Sequence, residues 1–76
     1  MASQYQKEYR ELISLLVKAR KDAGITQQEL AKSLKKPQSF VSKYESCERR
    51  LDIIEFVQVA KFIGCDYKKM LSKVIA

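Results

Sequence analysis

Apolar residues recur at helical spacing along most of the chain, and the pattern breaks or restarts at Gly24, Pro37 and Gly64. Tyr5, Tyr9, Leu12, Leu16, Ala19 and Ala23 follow one another at intervals of four and three. That spacing lines one face of a helix, and Gly24 suits the left-handed residue that closes it. The pattern predicts helix 1 over 5–23. Thr26 opens the next segment. Thr26 with Glu29 makes the T-x-x-E capping box, and Ile25 can staple to Leu30 across the first turn. Leu30, Ala31 and Leu34 turn inward, giving helix 2 over 27–34.

The same syntax returns at Asp52, with Glu55 as its box partner and Leu51 stapling to Phe56. Ile53, Phe56, Val57, Ala60 and Ile63 supply the stripe of helix 4, 53–63, and Gly64 ends it. Asp66 repeats the signal more weakly, with Cys65 and Met70 as staple partners. Tyr67, Met70, Leu71 and Val74 then mark helix 5 over 67–75. Between helices 2 and 4, Pro37 suits a helix start, where its missing N–H is not needed. Val41, Tyr44 and Glu45 share one face of helix 3, 38–46; Gln38, Ser39, Ser42 and Lys43 share the other. No segment alternates with period two. The fold class expected is all-α: one domain over 1–76, a compact five-helix bundle with short loops.

Composition narrows the function. A 76-residue chain buries only about 60% of its unfolded surface, so the core is thin and leaves no room for a large cofactor pocket. Fifteen Lys and Arg against nine Asp and Glu give a net charge of +6. Such an excess on a small chain points to a polyanionic partner, nucleic acid or an anionic membrane surface. The polar start, MASQYQKEYREL, has no signal-peptide core, and no apolar run approaches the ~20 residues that span a bilayer. Cys47 and Cys65 match no disulfide framework. Histidine is absent, which removes the commonest metal ligand and general base. No metal site, cofactor or small-molecule ligand is expected, and a reducing, cytoplasmic location is.

Helix 3 carries the chemistry. A helix of about ten residues fits the B-DNA major groove, about 12 Å wide. Gln pairs two ways with adenine, Lys donates to guanine O6 and N7, and Ser serves either base. Gln38, Ser39, Ser42 and Lys43 are therefore the candidate base-reading residues. A tight turn from helix 2 lets helix 2 lie across the DNA backbone while helix 3 enters the groove.

The stretch ITQQELAKSLKKPQSFVSKYE, 25–45, resembles the helix-turn-helix of the phage-repressor-like, XRE-type transcriptional regulators. Their pattern runs T-Q-x-x-L-A, a turn, then a polar recognition helix ending in an apolar residue and Glu. The likeness spans roughly 9–72, and ERRLDIIEFVQVAKFIGCD resembles the family's next helix. It implies that Gln27, Gln38, Ser39, Ser42 and Lys43 face DNA, and that the protein works as a dimer. The chain departs from the family where glycine is usual, with Lys35 in the turn and Cys47 after helix 3.

Further assignments follow. Gln27, in the first turn of helix 2, is placed to meet a phosphate. Lys36, Arg49 and Arg50 are read as phosphate contacts flanking the groove. Phe40 is placed on the exposed edge of helix 3, touching a thymine methyl or covering helix 2. The family often pairs an arginine with a glutamate at the positions of Arg20 and Glu45, so an Arg20–Glu45 pair fixing helix 1 against helix 3 is expected. Tyr5, Tyr9 and Tyr67 are read as core-edge aromatics, Cys65 as a small buried residue and Cys47 as an exposed, oxidisable one. Met70, Leu71, Val74 and Ile75 cover more of helix 5 than one buried stripe requires, and are assigned to a twofold homodimer interface with the end of helix 4.

The function expected is sequence-specific, dimeric regulation of transcription on a palindromic operator in double-stranded DNA. The competing class is a helical protein-interaction module, or an antitoxin-type partner-binding protein, with weak or no DNA binding. The exposed face of 38–43 argues against it, since apolar anchors would be expected there. An enzyme is the weakest class, lacking a histidine, a Gly-rich phosphate loop or a cleft of carboxylates.

Overall fold

A computed structural model describes residues 6–75 of the chain. It contains five α-helices: α1 Gln6–Asp22, α2 Gln27–Leu34, α3 Gln38–Glu45, α4 Ile53–Ile63 and α5 Tyr67–Ile75. No strand occurs among the described residues. Helices 1 and 3 each stop one residue before the sequence pattern did, leaving Ala23 and Ser46 in turns. Tyr5, the first residue of the expected stripe, lies outside the described residues.

The caps operate as the sequence syntax requires. Thr26 Oγ1 accepts from Glu29 N–H at 3.0 Å, and Glu29 Oε1 accepts from Thr26 N–H at 2.9 Å. Asp52 and Glu55 repeat the exchange at 2.7 and 3.0 Å. Asp66 Oδ1 takes the N–H groups of Lys68 and Lys69 at the start of α5. Each bond satisfies a donor that a helix start would otherwise leave unpaired. The staple between Cys65 and Met70 closes with their sulfur atoms 4.0 Å apart.

Among the described residues eleven buried apolar side chains make the core, with Leu16, Leu30, Val41, Tyr44 and Val59 wholly enclosed. Every helix contributes, α2 packing most closely on α3 and α1 on α5. The Cα radius of gyration, 11.9 Å, is close to the roughly 11 Å of a packed chain this long.

Two stripes are rotated from their expected positions. In α1 the inward centre is Ile13, Leu16 and Arg20, with Tyr9, Leu12 and Ala19 on its flank and Ala23 exposed. Arg20 is buried on that face and pairs there with Glu45. In α4 the buried residues are Phe56, Val59 and Ala60, whereas Ile53, expected in the stripe, is 63% exposed. Ile53 is the first residue of α4, ahead of the turns that meet the core. Periodicity alone cannot tell a terminal position from an internal one.

Candidate nucleic-acid interface

The α2–α3 turn is closed by backbone. Lys35 takes the left-handed conformation, φ 57°, in the place where glycine is usual. Its N–H donates to Lys32 O at 3.1 Å, and Lys36 N–H reaches back to Ala31 O at 3.0 Å. This paired bonding ends α2 abruptly. Pro37, at φ −68° and ψ 156°, then launches α3 in a new direction. Cys47 repeats the left-handed device after α3, φ 65°, and Glu48 and Arg49 fold back onto Lys43 O. Both departures from glycine therefore keep the glycine-like backbone.

Alpha-helix 3 is anchored by Phe40, Val41 and Tyr44, all buried. Gln38, Ser39, Ser42 and Lys43 are all exposed, as a contiguous outer row. Ser42 Oγ donates to Ser39 O at 3.3 Å, which leaves its lone pairs free to accept from a base. Phe40 departs from expectation: it is buried, not on an exposed edge. Its ring meets Tyr44 edge-on, centroids 6.1 Å apart. Arg49 Cζ lies 4.5 Å and Lys36 Nζ 5.5 Å from the Phe40 ring centre. The ring is thus a platform for cations rather than a probe for thymine.

Behind the row, Arg20 and Glu45 meet. Arg20 Nε donates to Glu45 Oε2 at 2.7 Å and Nη2 to Oε1 at 3.1 Å. Arg20 Nη1 donates to Ile25 O at 2.7 Å. Gln27 Nε2 joins the same carboxylate, 2.8 Å from Oε1. Sequence reasoning missed this last bond. It holds the half-buried Gln27 carboxamide with one N–H turned inward. The carboxylate accepts charge-assisted bonds from two helices, so it fixes orientation more than it adds net stability.

The loop arginines are both braced. Arg49 Nη1 and Nη2 donate to Glu55 Oε1 and Oε2, each at 3.0 Å, and Nη1 also donates to Arg50 O at 2.8 Å. The Arg49 guanidinium beside Glu55 is the main cause that holds that carboxyl below the usual carboxylate range, followed by the Asp52 N–H. Glu55 in turn raises the pKa of Arg49. Arg50 Cζ lies 4.4 Å from the ring centre of Tyr9, whose hydroxyl accepts from Leu51 N–H at 3.1 Å. Glu55 was foreseen only as a capping residue. The D-x-x-E motif gave no sign that an arginine six positions earlier would share its carboxylate.

The assigned dimer residues divide. Met70 is 9% exposed and belongs to the core, so it is withdrawn from any interface. The reason is its place on α5: it points down the stripe that packs against Cys65 and the bundle. Leu71 is half-buried against the core, Val74 is half-buried, and Ile75 is 68% exposed. Ile54 and Phe62 on α4 are also exposed, at 64% and 45%; neither was foreseen. Tyr67 stacks edge-on against Phe56, and Cys47 and Cys65 are both half-buried. Burial raises the pKa of the Cys65 thiol.

Among the described residues no helix is long and apolar enough to cross a membrane. Among the same residues, no group of three or more His, Cys, Asp or Glu is placed to hold a metal ion.

These features have relatives. A helix-turn-helix family profile matches residues 16–69, well over half of the chain and all of the α2–α3 unit. The chain is also similar to the solved structure of an XRE-family like protein from Pseudomonas syringae pv. tomato str. DC3000. The two are 53% identical with a TM-score of 0.87, over 92% of this chain and 85% of that one. No curated protein matches. With its left-handed turn at Lys35, its buried anchors on α3 and its polar outer row, the chain belongs to the XRE-type helix-turn-helix family of DNA-binding regulators.

Proposed function

We propose that the protein is a sequence-specific regulator that binds a palindromic operator as a homodimer. The observation that carries this reading is the outer row of α3. Gln38, Ser39, Ser42 and Lys43 are all exposed, on a helix whose opposite side is locked into the core. Four side chains able to donate and accept, on a rigid short helix, suit the edges of base pairs in a major groove. Lys36, Arg49 and Arg50 supply positive charge beside that row, and Gln27 with the start of α2 faces a phosphate across the turn. Lys36 and Arg49 share the Phe40 ring, which supports a common position for the two cations. The protein acts without enzymatic chemistry, in the cytoplasm, with double-stranded DNA and a second copy of itself as partners.

One recognition helix covers only a few base pairs, and a dimer reads two half-sites about 34 Å apart. The side chains that support dimerisation are Phe62 near the end of α4 and Ile75 on α5, both exposed, with the half-buried Leu71 and Val74 of α5. Met70 takes no part.

Selection of bound sequences from random duplexes tests the reading as a whole. A motif with twofold symmetry is expected. Recovery of an asymmetric motif, or of none, overturns the dimeric operator. Sedimentation at tens of micromolar tests the surface separately. Phe62→Asp with Ile75→Asp, both at exposed positions, is expected to leave a folded monomer; a variant that sediments as the wild type removes this surface.

A further inference from the structure

Arg49 is restrained on three sides. Its end-on edge, Nη1 and Nη2, is matched to the two oxygens of Glu55 at 3.0 Å each. Its remaining Nη1 hydrogen points to Arg50 O at 2.8 Å. Its Cζ stands 4.5 Å from the centre of the Phe40 ring, so the guanidinium is packed against the ring as well. What remains is the side-on edge. Nε–H and the outer Nη2–H form a second fork, and neither has a protein acceptor among the described residues. The side chain is still 42% exposed. Such a fork matches two oxygens of one phosphate, a match that a lysine cannot reproduce. Phe40 belongs to α3, so the guanidinium is held against the helix that carries the reading row.

We infer that Glu55 is a positioning residue for DNA binding: it grips the end-on edge of Arg49 so that the side-on fork is presented, pre-aligned, to a single backbone phosphate. The inference rests on the DNA-binding reading above and goes beyond it, since it gives a negatively charged residue a favourable part in binding a polyanion. A carboxylate near a phosphate is repulsive in general. Here the guanidinium lies between the two anions, each taking a different edge. Lys36 shares the Phe40 ring with Arg49 and also acts on the Glu55 carboxylate, which offsets the repulsion further. Against that residual term stands the ordering of a long side chain before the phosphate arrives, which spares the binding step that loss of freedom.

Glu55 also accepts from Asp52 N–H at 3.0 Å, and its other role must survive the test. Glu55→Gln serves, because glutamine fills the same place in a capping box. The experiment measures affinity for a random-sequence duplex at low salt for wild type, Glu55→Gln, Arg49→Ala, Arg49→Lys and Glu55→Gln with Arg49→Ala. Thermal melts confirm that each variant folds. Glu55→Gln removes a negative charge from a chain of net charge +6, yet it is expected to weaken binding by roughly 2- to 12-fold, the ordering of one long side chain. Arg49→Lys, which keeps the charge and loses the fork, is expected to weaken binding as well. In the Arg49→Ala background Glu55→Gln is expected to be neutral or slightly tightening. Tighter binding by Glu55→Gln alone overturns the inference, because Glu55 would then be competing with the phosphate. An equal loss with and without Arg49 also overturns it, as does full affinity in Arg49→Lys. A wild type that binds no duplex removes the DNA-binding reading itself, and the inference with it.

Discussion

Arg20 and Glu45, twenty-five residues apart in sequence, join α1 to α3 through a 2.7 Å bond between Nε and Oε2, and both side chains are 8% exposed. The pair sits directly behind the outer row of α3, and Gln27 ties α2 to the same carboxylate. One carboxylate on α3 thus holds donors from both α1 and α2.

Removing one partner should be far worse than removing both. Arg20→Leu strands Glu45 as a buried, uncompensated charge and is expected to lower stability by about 3–5 kcal/mol. Arg20→Leu with Glu45→Leu is expected to recover most of that loss, since apolar groups tolerate the site. Urea unfolding of the two single variants and the double variant measures the coupling. Simple addition of the two single losses would show that the charges do not act as a pair.

Lys35 is strained by its place in the turn. Its φ of 57° is a conformation that costs a residue with a Cβ about 1–2 kcal/mol, while glycine loses about 0.5–1 kcal/mol in unfolded-state entropy. Lys35→Gly is therefore expected to raise stability by about 0.5–1 kcal/mol net. The check is a higher urea midpoint with an unchanged denaturant slope. A lower midpoint would mean that the lysine side chain itself contributes to the fold.

Acid should weaken the fold through the two capping carboxylates. Glu29 ionises below its usual range because the Thr26 N–H, then the Thr26 hydroxyl, bonds to it. Glu55 does so because of Arg49 first and the Asp52 N–H second. With both folded pKa values depressed, the unfolded chain binds more protons below about pH 4.3. Their contribution is complete above that pH and is lost as the pH falls through the folded values. Urea midpoints are expected to fall between about pH 5 and pH 3, and Glu29→Gln with Glu55→Gln to flatten the decline. An equal decline in the double variant would assign the acid sensitivity to other groups.

Local signals explain why so much of this fold could be read from the chain. Thr26 with Glu29 and Asp52 with Glu55 are short-range devices whose partners lie three residues apart, and both caps form as written. The outer row of α3 was equally legible, because Val41 and Tyr44 fix which face turns in. What escaped was long-range or terminal. Ile53 fits the α4 stripe by spacing, but at the first position of the helix it stays exposed. The many apolar residues of α5 do not say which of them the core takes, and only the packed bundle shows that Met70 turns inward. Neither Gln27 on Glu45 nor Arg49 on Glu55 has a sequence signature, since each depends on where separate elements come to rest.

Base reading by α3 is tested most directly by the ratio of affinities for a selected operator and a scrambled duplex at fixed salt. The ratio is measured for wild type, Gln38→Ala and Arg49→Ala. Gln38→Ala is expected to lose about 1–3 kcal/mol on the operator and little on scrambled DNA, relaxing preference at one base pair. Arg49→Ala is expected to weaken both duplexes by a similar factor, leaving the ratio near its wild-type value. Equal losses on both duplexes for Gln38→Ala would contradict base reading by this helix.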